Sequence, residues 1–382
     1  MNEPYLRSRK RVPADYRLRV LVVDDSVVIR RLVSHALQED PAIELVGTAS
    51  NGLIGLARAE QLNPDVITVD VEMPDMDGLE MVRRLRMTNK DVRVIMFSTL
   101  TERGAWVSME ALSLGADDYV AKASNAGSLD RSMHSLREEL IPKIKQFFLR
   151  ESDGRLLAGR SAAVRPLAVV PVAHSHVEPE VVSIGVSTGG PNALSVVMPM
   201  LPGDFPVPIL IVQHMPPIFT RLLAERLQGL TKLRVCEAQK GMPVEAGSVL
   251  IAPGNYHMCV RREGLRKVVT LNQERPENSC RPSVDVLFRS VEQSYGAATV
   301  GVILTGMGTD GLRGAQLLKA RGASMIAQDE ASSVVWGMPG AVVEAGLADA
   351  VVPLEKIAGE IVAKVRSRST MPRLEWKRYA NA

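Results

Sequence analysis

Apolar positions along the chain form two separate alternations of short continuous runs and amphipathic stretches. The first opens with LRVLVV at 18–23, and a run apolar on both faces predicts a buried parallel strand. Residues 27–38 follow, with Ile29, Leu32, Val33 and Leu37 spaced to share one face, which predicts an amphipathic helix. The alternation continues through predicted strands at 44–49, 66–69, 92–97 and 119–121. Between and after them come predicted helices at 53–61, 79–87, 104–114 and 128–148. Five buried strands, each followed by a helix, predict a doubly wound parallel sheet.

Residues 151–180 break this pattern with Ala, Pro, Arg and His, including His174-Ser175-His176, and read as an unstructured linker rather than a metal site. Apolar strands resume at 181–186, 208–213, 248–252 and 299–305. Helices are predicted after Pro191, after Pro217 and around Val284, giving a second α/β sheet domain that runs to Arg366. The expected division is a disordered basic arm (1–17), a first domain (18–148), a linker (149–179), a second domain (180–366) and a tail (367–382). No internal repeat relates the halves.

Composition adds exclusions. A length of 382 residues suits two ordinary domains. With 46 basic against 43 acidic residues the net charge is +3, which gives no support for a nucleic-acid or membrane-surface partner. Cys236, Cys259 and Cys280 lack CxxC spacing and read as small buried side chains in a reducing compartment. No apolar run approaches the roughly 18 residues that span a bilayer. The basic residues Arg7, Arg9, Lys10 and Arg11 lack the apolar stretch of a secretory signal. The expected location is the cytoplasm.

Two constellations carry chemistry. In the first half Asp24, Asp25 and Asp70 lie at strand carboxyl ends, where open parallel sheets bind ligands. Gathered carboxylates repel one another unless a cation compensates, and Mg²⁺ prefers oxygen ligands. Ser98 and Lys122 lie past the fourth and fifth strands. Acids, hydroxyl and ammonium together form the inventory for phosphorylating a carboxylate, since cations neutralise phosphoryl oxygens.

In the second half, Gly185–Gly189 reads GVSTG and satisfies G-x-S-x-G, a strand-to-helix turn that exposes Ser187. A phosphate cradle would use a similar turn, but no Walker lysine follows. Two histidines compete as the base that a serine nucleophile needs: His214, ending the strand PILIVQ, and His257, in the loop after IAPGN. Asp310, in TGMGTDG after the strand TVGVIL, is a candidate to hold the imidazole tautomer. The order Ser, His, Asp differs from the Ser, Asp/Glu, His order of lipase-like α/β hydrolases.

The stretches VLVVDDS, DVITVDVEMPDMDGLE, VIMFST and GADDYVAK make residues 18–140 resemble bacterial response-regulator receivers of flavodoxin-like fold. That resemblance implies phosphorylation at Asp70, with Mg²⁺ held by Asp25, Asp70 and the backbone carbonyl of Glu72, and supported by Asp24. It also implies that Ser98 and Tyr119 form a switch pair and that Lys122 binds the phosphoryl group. Ala123 stands where the family usually has a proline.

The stretches IGVSTGGP, ILIVQHM, LIAPGNYHM, RPSVDVLFRS, ILTGMGTDGLRG and AQDEASSVVWGMP are similar to the catalytic domain of the CheB family of chemotaxis protein-glutamate methylesterases. That similarity implies Ser187 as nucleophile, His214 rather than His257 as base, and Asp310 as its orienting acid. It assigns an oxyanion-binding N–H to Met307 and pocket shaping to Thr188. Hydrolysis would need no cofactor. The implied partners are methylated chemoreceptors as substrate and a histidine kinase as phosphodonor, with phosphorylation relieving a receiver that masks the catalytic cleft. A DNA-binding output domain would instead place a helix-turn-helix after the linker, where the chain has strand-rich text.

Overall fold

The structure is a computed structural model that describes residues 9–99, 101–122, 129–150 and 177–366. In chain order the first half contains β1 (Lys10–Val12), β2 (Leu18–Val23), α1 (Val27–Gln38), β3 (Ile43–Ala49), α2 (Gly52–Leu62) and β4 (Val66–Asp70). It continues with α3 (Gly78–Thr88), β5 (Arg93–Ser98), α4 (Glu102–Ser113), β6 (Asp118–Ala121), α5 (Leu129–Lys145) and β7 (Phe148–Arg150). The side chains of Ser26, Asn51, Asp77 and Thr101 each accept a backbone N–H at a helix start, so these helices begin where short polar residues precede the apolar spacing. The five central strands pair in parallel in the order β3-β2-β4-β5-β6, the doubly wound sheet expected.

Two expectations at the edges of this half are corrected. Within the arm expected to be disordered, Lys10–Val12 form β1 and pair in parallel with β7. Val12 is buried in the same apolar cluster as Phe148, so the short strand is held by apolar packing as well as by its backbone. The last helix ends at Lys145, and Phe148, expected on its apolar stripe, belongs to β7. The linker histidines His174 and His176, Ala123 and the tail 367–382 lie outside the described residues.

The second half contains β8 (Val181–Val186), α6 (Gly190–Val197), β9 (Ile209–Gln213), α7 (Phe219–Gln228), β10 (Arg234–Glu237) and β11 (Ser248–Ile251). An antiparallel hairpin of β12 (His257–Glu263) and β13 (Arg266–Asn272) follows. Then come α8 (Val284–Tyr295), β14 (Thr299–Ile303), α9 (Leu312–Ala320), β15 (Ser324–Gln328), α10 (Met338–Glu344), β16 (Ala350–Val352) and α11 (Leu354–Arg366). Seven parallel strands lie in the order β10-β11-β9-β8-β14-β15-β16. Successive strands are added on one side of β8 and then, from β14 onward, on the other, so the sheet's topological switch point lies at β8 and β14.

The two halves share a core. Helix α4 packs on α6 and α7, and buried Met109, Leu112 and Tyr119 belong to the same apolar cluster as Leu194, Phe219 and Leu223. The Tyr119 ring stacks on Phe219 with centroids 4.5 Å apart and planes 7° from parallel. Polar contacts frame this patch: Asn192 Nδ2 donates to Leu112 O at 2.9 Å, and Arg226 donates to Met109 O at 3.0 Å. Arg221 pairs with Glu102 at 2.6 Å, but both are well exposed, so the pair adds little.

Candidate active site and its cover

The switch point is where an open α/β sheet binds ligands, and Ser187, His214 and Asp310 come together there. Ser187 follows β8, His214 follows the neighbouring β9, and Asp310 lies in the loop after β14 on the other side. The turn after β8 needs Gly189, whose φ is +79°, a region costly for a residue with a Cβ. The loop after β14 approaches Ser187 so closely that a Cβ on Gly306 would lie 2.7 Å from the Ser187 Cβ.

His214 Nε2 meets Asp310 Oδ2 at 2.8 Å. Asp310 is 2% exposed, and five further groups donate to it. They are Val284 N (2.7 Å), Asp285 N (3.1 Å), Gly311 N (3.1 Å), Ser283 Oγ (2.8 Å) and Asn278 Nδ2 (2.8 Å). Two of those N–H groups are unpaired donors of the first turn of α8, so the carboxylate sits against a helix N-terminus. Burial opposes its charge, but the His214 bond and the backbone donors prevail and hold its pKa at about 2. Burial likewise opposes a charged His214, yet the bond to Asp310 and the Cys280 thiol outweigh it and push its pKa up to about 10.

With Nε2 engaged by Asp310, Nδ1 is the ring nitrogen left for proton transfer. It faces Cys280 Sγ at 3.6 Å. Ser187 Oγ has no hydrogen-bond partner among the described residues, so the structure does not join nucleophile to base directly. Ser187, His214, Cys280 and Met307 line one cavity of about 320 Å³. Met307 is 45% exposed at its rim. Cys280 was expected to be a small buried side chain; instead it is partly exposed in this cavity.

The thiol is placed by a tight turn. Glu277 and Cys280 exchange backbone hydrogen bonds at 3.1 and 2.9 Å across Asn278 (φ 52°) and Ser279 (φ 62°), the two left-handed positions of a type I′ turn. Arg289 clamps Glu277 through two 2.6 Å bonds, and Asn278 bridges Asp285 and Asp310. Asn in the first central position was the available sequence signal, since Asn tolerates this backbone better than most residues.

His257 is elsewhere. It is 1% exposed on β12, its Nδ1 accepts from Ser283 N at 3.3 Å, and its Nε2 faces Arg275 O at 3.2 Å. Both nitrogens are used inside the fold.

The cavity has walls from both halves. Leu112, Asp118, Tyr119, Lys143 and Gln146 of the first half face Ser187 and Thr188 of the second. Gln146 is buried, and its Oε1 accepts from Thr188 Oγ1 at 3.0 Å while its Nε2 donates to Asp118 Oδ2 at 3.1 Å. Thr188, expected to shape the pocket, therefore also joins the two halves, a contact that no motif announced.

The acidic pocket of the first half lies at the carboxyl end of its own sheet. Carboxylate oxygens of Asp24, Asp25 and Asp70 lie within 4.8 Å of one another. Lys122 Nζ reaches Asp24 at 3.0 Å and Asp70 at 2.7 Å. Burial raises the Asp70 pKa to about 6 against the opposing Lys122 bond, and the Glu72 N–H donates to the same carboxylate. The Glu72 side chain points away, to Arg103 at 3.1 Å. Ser98 Oγ donates to Thr99 O at 3.2 Å, and Tyr119 lies in the interface patch. Three clustered carboxylate donors fit a hard cation such as Mg²⁺.

Comparison with known proteins matches each half of the chain to a different family model. A family model described as CheB methylesterase matches residues 182–361, and one described as response regulator receiver domain matches 20–134. A relative from Nocardioides sp. (strain ATCC BAA-499 / JS614) is 50% identical over 353 residues, covering 91% of this chain and 95% of its own. One from Trichodesmium erythraeum (strain IMS101) is 47% identical over 352 residues, covering 91% and 99%. Both are named protein-glutamate methylesterase/protein-glutamine glutaminase. The crystal structure of the Thermotoga maritima CheB methylesterase catalytic domain is 43% identical and covers 49% of this chain and 98% of that one, with a TM-score of 0.48.

Proposed function

From the premise that this chain belongs to the CheB family of protein-glutamate methylesterases with an N-terminal receiver domain, we propose that it is a phosphorylation-activated serine hydrolase that demethylates chemoreceptor glutamates. The observation that carries this reading is a cavity lined by Ser187 and by His214, whose ring is held by buried Asp310, with part of its wall supplied by the receiver. In the first step Ser187 Oγ attacks the γ-carbonyl of a glutamyl methyl ester. His214 Nδ1 takes the Ser187 proton and passes it to the methoxide oxygen, which leaves as methanol, and Asp310 holds Nε2–H and so fixes the tautomer. The Met307 N–H stabilises the oxyanion. Water then attacks the acyl-enzyme with His214 as base again and restores the carboxylate. A carboxamide substrate would follow the same path and release ammonia, which the double name of the relatives supports.

A histidine kinase supplies the phosphoryl group to Asp70. Asp24, Asp25 and Asp70, with the Glu72 carbonyl, would hold Mg²⁺, which neutralises phosphoryl charge. Lys122 binds the phosphoryl oxygens. Ser98 exchanges its bond to Thr99 O for one to the phosphoryl group, and the Tyr119 ring moves with it, weakening the stack on Phe219. Phosphorylation acts by biasing an equilibrium between docked and undocked receiver. No helix among the described residues is long and apolar enough to cross a membrane. We place the enzyme in the cytoplasm, where the kinase and the receptors' signalling segments meet it. The decisive assay is methanol release from radiolabelled methylated receptor membranes; a preparation that releases none with phosphodonor present overturns the reading.

Three outcomes are expected from it. His214→Ala should lose nearly as much activity as a nucleophile variant, because members of such a unit do not contribute additively. His257→Ala should keep its residual activity proportional to its folded fraction, since that ring braces the backbone at Ser283 and Arg275 and faces no reacting group. A reversal in initial rates corrected for folded protein would move the base to His257.

The second outcome concerns pH. A base must be neutral to accept a proton, and His214 is held protonated above its ordinary range. Hydrolysis should therefore keep rising with pH above 7 rather than levelling near the usual imidazole value. Rates from pH 6 to 10, corrected for alkaline ester hydrolysis, check this; a plateau beginning near 6.5 contradicts it.

The third concerns the stack. An aromatic pair is worth about 0.5–1.5 kcal/mol beyond its buried area, so Phe219→Leu should raise basal, phosphodonor-free activity by roughly two- to tenfold. Unchanged or lower basal activity would show that the stack does not hold the lid.

A further inference from the structure

We propose that Cys280 and His214 form a binding site for a thiophilic transition-metal ion such as Zn²⁺, which blocks the hydrolase by occupying the nitrogen that its base function uses. The site rests on geometry alone, and only its inhibitory consequence rests on the function proposed above.

Three independent features converge on it. The first is spacing. Zinc sits roughly 2.0–2.1 Å from an imidazole nitrogen and about 2.3 Å from a thiolate, and tetrahedral coordination then puts the two donors about 3.6 Å apart. Cys280 Sγ and His214 Nδ1 are 3.6 Å apart. The second is the support behind the imidazole. A metal-binding histidine ordinarily donates its other ring N–H to a carboxylate, which fixes the tautomer and raises ligand basicity. Asp310 occupies that position at 2.8 Å from Nε2 and is itself held by five other donors. The third is access and rigidity. Both ligands line the cavity of about 320 Å³, which has room for the ion and the water ligands that complete its shell. The type I′ turn, clamped through Glu277–Arg289, fixes Cys280 in place.

His214, Cys280 and Asp310 also form one of the two groups among the described residues in which three such side chains offer ligand atoms within 4.8 Å. The other is the all-carboxylate pocket around Asp70, whose oxygen donors suit Mg²⁺. Sulfur and nitrogen donors select softer ions, so the two sites divide the available metals by ligand chemistry. Binding replaces the thiol proton, which leaves to solvent, and the metal shares the Nδ1 lone pair that would accept the Ser187 proton. With that lone pair engaged, Ser187 has no base. Two protein ligands predict a reversible, inhibitory ion rather than a structural one.

The probe is Co²⁺, whose bond to a thiolate gives a charge-transfer absorption, added to the full chain with excess Mg²⁺ to fill the acidic pocket. One equivalent should produce the band, and Zn²⁺ should bleach it. The band should vanish in Cys280→Ser and persist in the double variant Cys236→Ser, Cys259→Ser. Asp310→Asn should weaken cobalt binding by about 10–100-fold. In the folded wild type, Zn²⁺ should protect Cys280 from iodoacetamide, as read by peptide mass, which makes the result independent of how any variant folds. A band that survives Cys280→Ser, the absence of a band in the wild type, or alkylation of Cys280 unaffected by Zn²⁺ each overturns the site. Methanol release is a separate arm: if cobalt binds as described while Zn²⁺ leaves hydrolysis unchanged, the inhibitory role fails.

Discussion

Replacing Ser187 by alanine should reduce methanol release from methylated receptors to below about 1% of wild type, with the fold intact. The side chain is small and partly exposed, and its hydroxyl has no hydrogen-bond partner among the described residues, so its removal opens no cavity and orphans no donor. Only the covalent step is lost. The residual rate would come from oxyanion stabilisation and substrate binding. Two measurements check it: initial rates at saturating phosphodonor, and a thermal melt that should shift little. Activity clearly above that level, with an unchanged melt, would assign the nucleophile to another residue. Cys280, beside the same imidazole nitrogen, would then be the first to test.

Removing the receiver should have the opposite sign and a comparable size. A fragment beginning near Glu178 keeps the seven-stranded sheet, the hairpin and every residue assigned to bond cleavage. It loses the wall formed by Leu112, Tyr119, Lys143 and Gln146. If the undocked form of the full chain is populated at about 0.1–10%, the fragment should be roughly ten- to a thousandfold faster without any phosphodonor. Full-length Asp70→Asn should stay at the basal rate with donor present or absent. The fragment bares Phe219 and its neighbours, so its activity must be scaled to its folded fraction. A fragment no faster than unphosphorylated full-length protein would falsify release as the mechanism and make the receiver an activator by contact.

How much of this was legible beforehand depended on whether a residue's role is local. The runs LRVLVV and VVSIGV are apolar except at Arg19 and Ser183 because both faces of a central parallel strand are covered, so they stand out in the sequence. The residues at their ends, Asp24 and Ser187, were legible for the same reason. The strands at the margins were less so: Arg234–Glu237 and Ala350–Val352 are short, and partly exposed edge positions carry little apolar pattern. In the arm Lys10 and Arg11 are exposed and only Val12 is buried, so this three-residue strand carries no periodicity to read. Cys280 and Gln146 escaped for a different reason. Each acquires its surroundings from residues distant in the chain, His214 for one and Thr188 for the other. No spacing rule reports a contact that exists only once two domains have docked or a turn has closed.

The hydrogen bond from Thr188 to Gln146 has a thermodynamic counterpart that runs backwards through the molecule. Gln146 and Ser187 line the same cavity, so a substrate whose binding displaced Gln146 would favour the undocked receiver. Coupling between two binding events is reciprocal, so the factor by which phosphorylation at Asp70 tightens an active-site ligand is the factor by which that ligand favours the phosphorylated state. An inhibitor seated on Ser187 should therefore raise the fraction of Asp70 carrying phosphate at a given donor concentration. Receptors rich in methyl esters would act the same way, loading the enzyme with phosphate in proportion to the work awaiting it.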